Sequence, residues 1–476
     1  MVIFLLCLSW SVSLAQFEKN YYPAPIDDTI SSETLRQIKV KLALDKSRIN
    51  EPKGKVNDYL QELYEKRAEF VIQNFNGDYF INDTEISPYL QSILDVICKS
   101  NPQLSSEARV YAFRSNAVNA MSFGEGTIAF TLGLLSRMES EDQIAFVLCH
   151  EMAHYYAKHS DLKAIDFARL NYDKEIKKKV KEIAKSDYGQ YTKFTKLIGS
   201  LGLSINKHSR EKEFESDSLA LLFYMNTKYD LHAPIRTLEI LDSADVSLHP
   251  ENIDLKKHFN FTAYPFKDHW LSYTPGSNWY ASQNEVENDS LRTHPSCKKR
   301  IDALQAQLKS YNLAYKGPFY SPETKATYFQ TRSDFEIVES TFHFKQYGKT
   351  LFLSLILLDR YPNNIYLHSM ISKCLYQLYR YQKNHELGTV LSLPDPRFDE
   401  NYDRVLTFLH ALRLMEIASL SYYYPMTKKE ISGNDEEFLY ACWLSSQSEV
   451  SQESPDKIKL RYKSMFPSGK YNAMMK

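Results

Sequence analysis

His150-Glu151-Met152-Ala153-His154 places two imidazoles four residues apart, with a carboxylate beside the first. On a helix that spacing brings both rings to one face, where they can share a zinc ion, and Glu151 projects beside them to hold and deprotonate a water. Two core histidines next to an incidental glutamate would read the same way, so the setting decides. Ser140 is followed three residues later by Gln143, a capping box that predicts a helix through Ile144, Val147 and Leu148 and on past His154. Cys149 within it reads as a small buried residue rather than a ligand.

Zinc that catalyses hydrolysis takes three protein ligands and keeps a fourth position open. The missing ligand is sought in Arg210-x-x-Glu213-x-Glu215-x-Asp217, on a helix predicted from about Glu211 to Tyr224. A glutamate there completes the set. Glu213 and Asp217 lie four apart, so one helix face can give a ligand and a carboxylate that accepts the free N–H of a ligating histidine. Arg210 reads as a partner of these acids, or as a group that stabilises a tetrahedral oxyanion. His159, five residues beyond His154, is predicted to turn away from the metal face and to lie at the surface.

Around this pair of helices the chain supplies a scaffold. Val56 to Phe75 has a helical apolar stripe, and Asn82-Asp83-Thr84 caps a helix through Tyr89, Leu90, Ile93, Leu94 and Ile97. Arg109 to Arg114 and Gly126 to Phe130 read as strands, with Gly124 and Gly126 marking a turn or bulge. Beyond Arg300 the chain turns to aromatic-rich helix after a connector punctuated by Gly317-Pro318 and Ser321-Pro322. Tyr361-Pro362 and Leu393-Pro394 end helical stretches 32 residues apart, close to the tetratricopeptide (TPR) period of about 34. The fold class is α+β, mainly helical: a domain with a small sheet over residues 16–310, then an all-α, TPR-like helical-hairpin region over 330–476.

The whole chain of 476 residues is 43% hydrophobic and 25% charged with a formal net charge of -1, which suits a soluble globular protein and gives no reason to expect nucleic acid as a partner. Val2 to Leu8 is apolar and Ser13-Leu14-Ala15 precedes Gln16, so residues 1–15 read as a signal peptide cleaved after Ala15. That run is shorter than the roughly 20 residues a membrane span needs, an uncleaved anchor being the competing reading. No other run is long enough, so no transmembrane span is expected in the mature chain, which should be exported to a periplasm or secreted. The cysteines at 7, 98, 149, 297, 374 and 442 form no CxxC pair and suggest neither a disulfide framework nor a thiolate zinc site.

The sequence resembles the HtpX and Ste-type gluzincin metallopeptidases, peptidase family forty-eight, and especially their soluble, secreted branch with a TPR tail. The resemblance rests on Asn119-Ala120, Gly126-Thr127-Ile128, Gly133-Leu134-Leu135, His150 to His154, Arg210 with Glu213 and Asp217, and Thr293-His294-Pro295 followed by Arg300-Ile301. It covers about residues 100 to 305, and loosely the helical tail. It implies a zincin-type metallopeptidase domain with one Zn2+ per chain, held by His150, His154 and Glu213 rather than Glu215. Glu151 is then the catalytic base and Asp217 orients a ligating ring. The resemblance further implies that Gly126, Thr127, Ile128, Ala129 and Phe130 form an exposed edge that pairs with extended substrate, giving broad specificity towards unfolded polypeptides. His294 in its loop corresponds to a histidine that can occupy the open zinc position and keep the enzyme latent, or stabilise the oxyanion. Two departures stand out: Gly124 with Glu125 where the family commonly has proline, and Glu215-Ser216-Asp217 where EAD is usual. The expected function is a secreted or periplasmic zinc endopeptidase acting on unfolded or misassembled envelope proteins. The alternative is an envelope chaperone or assembly scaffold that holds protein partners through the TPR-like tail, with a latent zinc site.

Overall fold

The computed structural model describes residues 17–26, 30–51, 54–172, 178, 182, 210–243, 253–272, 297–311, 324–395 and 399–475. These fall into two compact units, one built on residues from 24 to 243 with 297–311 and 324–333, the other on 17–23, 253–272 and 334–475.

In the first unit, α1 (Ser32–Ser47) starts where Ser31 Oγ accepts the Thr34 N–H. It is followed by α2 (Lys55–Asn76), β1 (Phe80–Ile81) and α3 (Ile86–Ser100). Asp83 supplies the expected cap of α3, accepting the N–H groups of Ile86 and Ser87. Strands β2 (Arg109–Phe113), β3 (Ala120–Ser122) and β4 (Thr127–Thr131) complete a four-stranded sheet of order β1-β2-β4-β3. β2 runs parallel to β4 with Tyr111 opposite Ala129, and β3 antiparallel with Met121 opposite the same residue. Ile38, Ala68, Val71 and Phe75 of α1 and α2 pack with Phe80 and Ala129 in one apolar cluster. α3 packs against β2, and the histidine helix α4 (Glu141–Tyr156) packs against α3 and β3.

This topology corrects the expected substrate edge. β4 is hydrogen-bonded on both sides and buried along its whole length, so Thr127 to Phe130 form an inner strand. Among the described residues the edge strands are β1 and β3. Thr127-Ile128-Ala129-Phe130-Thr131 has the unbroken burial of an interior strand. The short, half-buried Ala120–Ser122 carries too few residues for a period to show.

α4 starts as predicted, with Ser140 Oγ accepting the Gln143 N–H. The Gln143 carbonyl oxygen reaches back to the Glu139 N–H rather than to that of Ser140. The helix stops at Tyr156. Ala157 caps it and Lys158 takes a left-handed φ of 55°, after which α5 (His159–Tyr172) sets off in a new direction. α6 (residues 210–225), α7 (Ala233–Asp242) and α8 (Cys297–Ser310) close the unit.

Helix α9 (Thr324–His343) enters the second unit at residue 334 and is followed by α10 (Tyr347–Arg360), α11 (Ile365–Lys383), α12 (Glu400–Ala411), α13 (Leu414–Met426), α14 (Glu436–Ser446) and α15 (Pro455–Met465). Every residue from Tyr366 to Tyr376 is buried, because α10, α13 and α14 all pack on α11. Of the two Pro signals, Tyr361-Pro362 follows the end of α10, whereas Leu393-Pro394 lies in the connector after α11 and a short turn of 3-10 helix. The unit also draws on chain far outside 330–476. Phe17 and Tyr21 pack their rings 5.3 and 4.7 Å from Phe335, and Phe259, Phe266 and Trp270 lie 5.2, 6.1 and 6.0 Å from Phe408. Among the described residues no helix is long and apolar enough to cross a membrane. Residues 1–15 and Thr293-His294-Pro295 lie outside the described residues.

Candidate active site

Helix α4 turns His150 and His154 to one side, with their Nε2 atoms 3.1 Å apart. From α6, Glu213 meets both: one carboxylate oxygen is 3.6 Å from His150 Nε2 and the other 3.5 Å from His154 Nε2. Ligands about 2.0–2.1 Å from a tetrahedral zinc stand about 3.3 Å from one another, so the three donors fit one such ion in number, type and spacing. On its far side His150 Nδ1 lies 2.9 Å from Asp217 Oδ1. Asp217 in turn accepts two parallel hydrogen bonds of 2.7 Å from the Arg300 guanidinium. All of this is buried or nearly so.

Charge follows from that geometry. Burial alone would strip a proton from His150, but hydrogen bonds to Asp217 and Glu213 override it and carry the ring up to about 10. Burial and the charge on His150 press His154 down to about 3. Burial would push the Asp217 carboxyl up, yet Arg300 and His150 hold it below the usual carboxylate range.

Residues 86–308 match the profile of the family described as Peptidase family M48. Those residues form a peptidase family M48 domain. Peptidases of this family are zinc-dependent. Over 84 residues the chain is also 27% identical to a Vibrio cholerae serotype O1 protein named as a beta-barrel assembly-enhancing protease, a match covering 18% of this chain and 17% of that relative.

The M48 domain opens its histidine pair into a cleft of about 530 Å³. Ala120, Met121 and Ser122 of the edge strand line one wall, and Leu134, Phe146, Val147, Leu238 and Leu241 give the cleft an apolar side. Glu151 sits in it beside the histidines. Burial raises its proton affinity, the charge on His150 opposes that rise, and the Ser122 backbone N–H donates to the carboxylate. The ladder explains that donor. Thr131 N–H bonds to Asn119 O and Phe123 N–H to Thr127 O, so the odd-numbered residues of β3 face β4. Ala120 and Ser122 therefore direct their main-chain groups to the open edge.

One residue of the M48 domain lies elsewhere than the sequence predicts. His159 is buried, not at the surface: its Nδ1 lies 3.1 Å from His154 Nδ1 and 3.1 Å from Ser216 Oγ, and its Nε2 lies 3.2 Å from Glu215 Oε2. The expectation assumed one continuous helix, whereas the left-handed turn at Lys158 folds His159 back onto the ring five residues before it. Burial lowers the proton affinity of this ring, with Glu215 opposing. The guanidinium that meets Asp217 is that of Arg300. Arg300 entered the sequence reading only as part of a family block, since nothing in its neighbourhood announces a buried arginine.

Proposed function

We propose that this chain is a zinc-dependent endopeptidase in which His150, His154 and Glu213 hold the metal and Glu151 is the general base. The observation that carries the reading is the meeting of three donors at tetrahedral ligand spacing in the same cleft as Glu151. When bound, zinc supplies a Lewis acid that activates water and polarises a carbonyl at neutral pH. Glu151, made more basic by burial, takes a proton from the attacking water and returns it to the leaving amine. Asp217, clamped by Arg300, accepts the Nδ1–H of His150 and so leaves that ring's Nε2 lone pair facing the metal. Extended substrate pairs with the outward main-chain groups of Ala120 and Ser122, a mode of binding that depends little on side chains. Substrates are therefore unfolded or misassembled polypeptides, with apolar side chains received by the Leu134, Phe146, Val147 and Leu238 side of the cleft. An envelope role is supported by the name of the Vibrio cholerae relative and by the apolar run Val2 to Leu8.

The deciding experiment measures zinc content and casein cleavage for wild type and Glu151→Gln. One zinc per chain is expected in both, with hydrolysis lower by about 10²- to 10⁴-fold in the variant. Cleavage by Glu151→Gln at the wild-type rate would overturn the assignment of the base, and a zinc-free wild type would overturn the metal centre.

A further inference from the structure

The two histidines proposed as ligands are supported differently. His150 leans on a carboxylate directly, whereas among the described residues His154 Nδ1 meets no carboxylate and instead lies 3.1 Å from another imidazole, that of His159. The arrangement fixes where each proton sits. Glu215 can only accept, so the His159 Nε2, 3.2 Å from its oxygen, carries the proton. In the neutral ring Nδ1 then has one lone pair and no hydrogen, and it faces both the Ser216 hydroxyl and His154 Nδ1, each 3.1 Å away. His154 must be the donor across the 3.1 Å contact, with its proton on Nδ1. That leaves the His154 Nε2 lone pair directed at Glu213 and His150.

Resting on the zinc reading, we propose that His159 is the positioning residue of the second histidine ligand, relaying Glu215 to His154 and holding that ring in its metal-binding tautomer. Carboxylate, imidazole, imidazole and metal thus stand in line where the His150 side has carboxylate, imidazole and metal. His159 touches neither the metal nor the substrate. It acts through His154, and its removal frees that ring to rotate or to move its proton to Nε2.

The test is zinc affinity by chelator competition on the full chain, for wild type, His159→Leu and His159→Asn, with far-UV circular dichroism confirming the fold of each. Leucine fills the space without an acceptor, and asparagine places its Oδ1 where Nδ1 stood. Zinc should bind about 10- to 100-fold more weakly to His159→Leu and within about threefold of wild type to His159→Asn. Rescue by asparagine is what a merely space-filling role would not produce. Should wild type bind zinc while His159→Leu binds it equally well, or should both variants weaken alike, the relay is refuted and the metal centre stands. A wild type that binds no zinc overturns the metal centre and the relay with it.

Discussion

Asp217 and Arg300 are each buried, and neither could stay charged there alone. Their two parallel hydrogen bonds keep the carboxylate ionised beneath His150. Breaking a buried pair from one side leaves an uncompensated charge, which costs about 3–5 kcal/mol. Arg300→Leu should therefore lower the stability of the chain by that order and, by letting burial raise the Asp217 carboxyl, weaken zinc binding as well. Adding Asp217→Asn should recover part of the lost stability in urea denaturation, because the stranded charge is gone. A double variant less stable than Arg300→Leu alone would contradict this account. At this scale the sequence made visible what a single helix turn determines: His150 with His154, and Glu213 with Asp217, are spaced by the helix itself. Arg300 and His159 were hidden because their partners depend on how separate segments meet. In the case of His159 the meeting depends on one left-handed residue, Lys158, whose type gives no hint of that conformation.

Between residue and molecule, the strands show what period can and cannot reveal. β2 and β4 were legible within a residue or two, since burial alternates along β2 and β4 holds the apolar run Ile128-Ala129-Phe130. Which of the strands lies at the edge is a property of pairing, and the parallel match of β2 with β4 puts β3 outside. The outward N–H of Ala120 takes no part in the ladder, so proline can stand there as it does on edge strands, removing one donor and little else. Ala120→Pro should fold and keep its zinc while kcat/KM for an extended peptide falls about tenfold, the worth of one hydrogen bond left unmade. Unchanged kinetics in a folded, zinc-loaded variant would remove β3 from the substrate site. The same substitution at Ala129, inside β4, should prevent folding, because Pro is excluded from the middle of a sheet.

Across the whole molecule the linear division at about 310–330 gives way to an interleaved one. The helical unit collects Phe17, Tyr21, Phe259, Phe266 and Trp270 from chain that sequence order assigns to the peptidase region. Aromatic content gave no warning, because such residues occur throughout the chain and only the core they join distinguishes them. The centre of this unit also carries a titrating group remote from the metal site. His368 on α11 is buried, with Nε2 donating to the Pro362 carbonyl and Nδ1 accepting from the Tyr424 hydroxyl, each at 3.0 Å. Burial holds this ring down to about 4 from its ordinary 6.5. Between those values the unfolded chain binds a proton that the folded chain refuses. The stabilisation is therefore complete above about pH 6.5 and is lost as pH falls towards 4, roughly 3 kcal/mol in all at about 1.4 kcal/mol per pKa unit. Urea unfolding followed by tryptophan fluorescence, with Trp270 and Trp443 as reporters in this unit, should show wild type losing that much more than His368→Gln between pH 7 and pH 4. Parallel curves for the two proteins would mean that the ring is already free to take up its proton in the folded state.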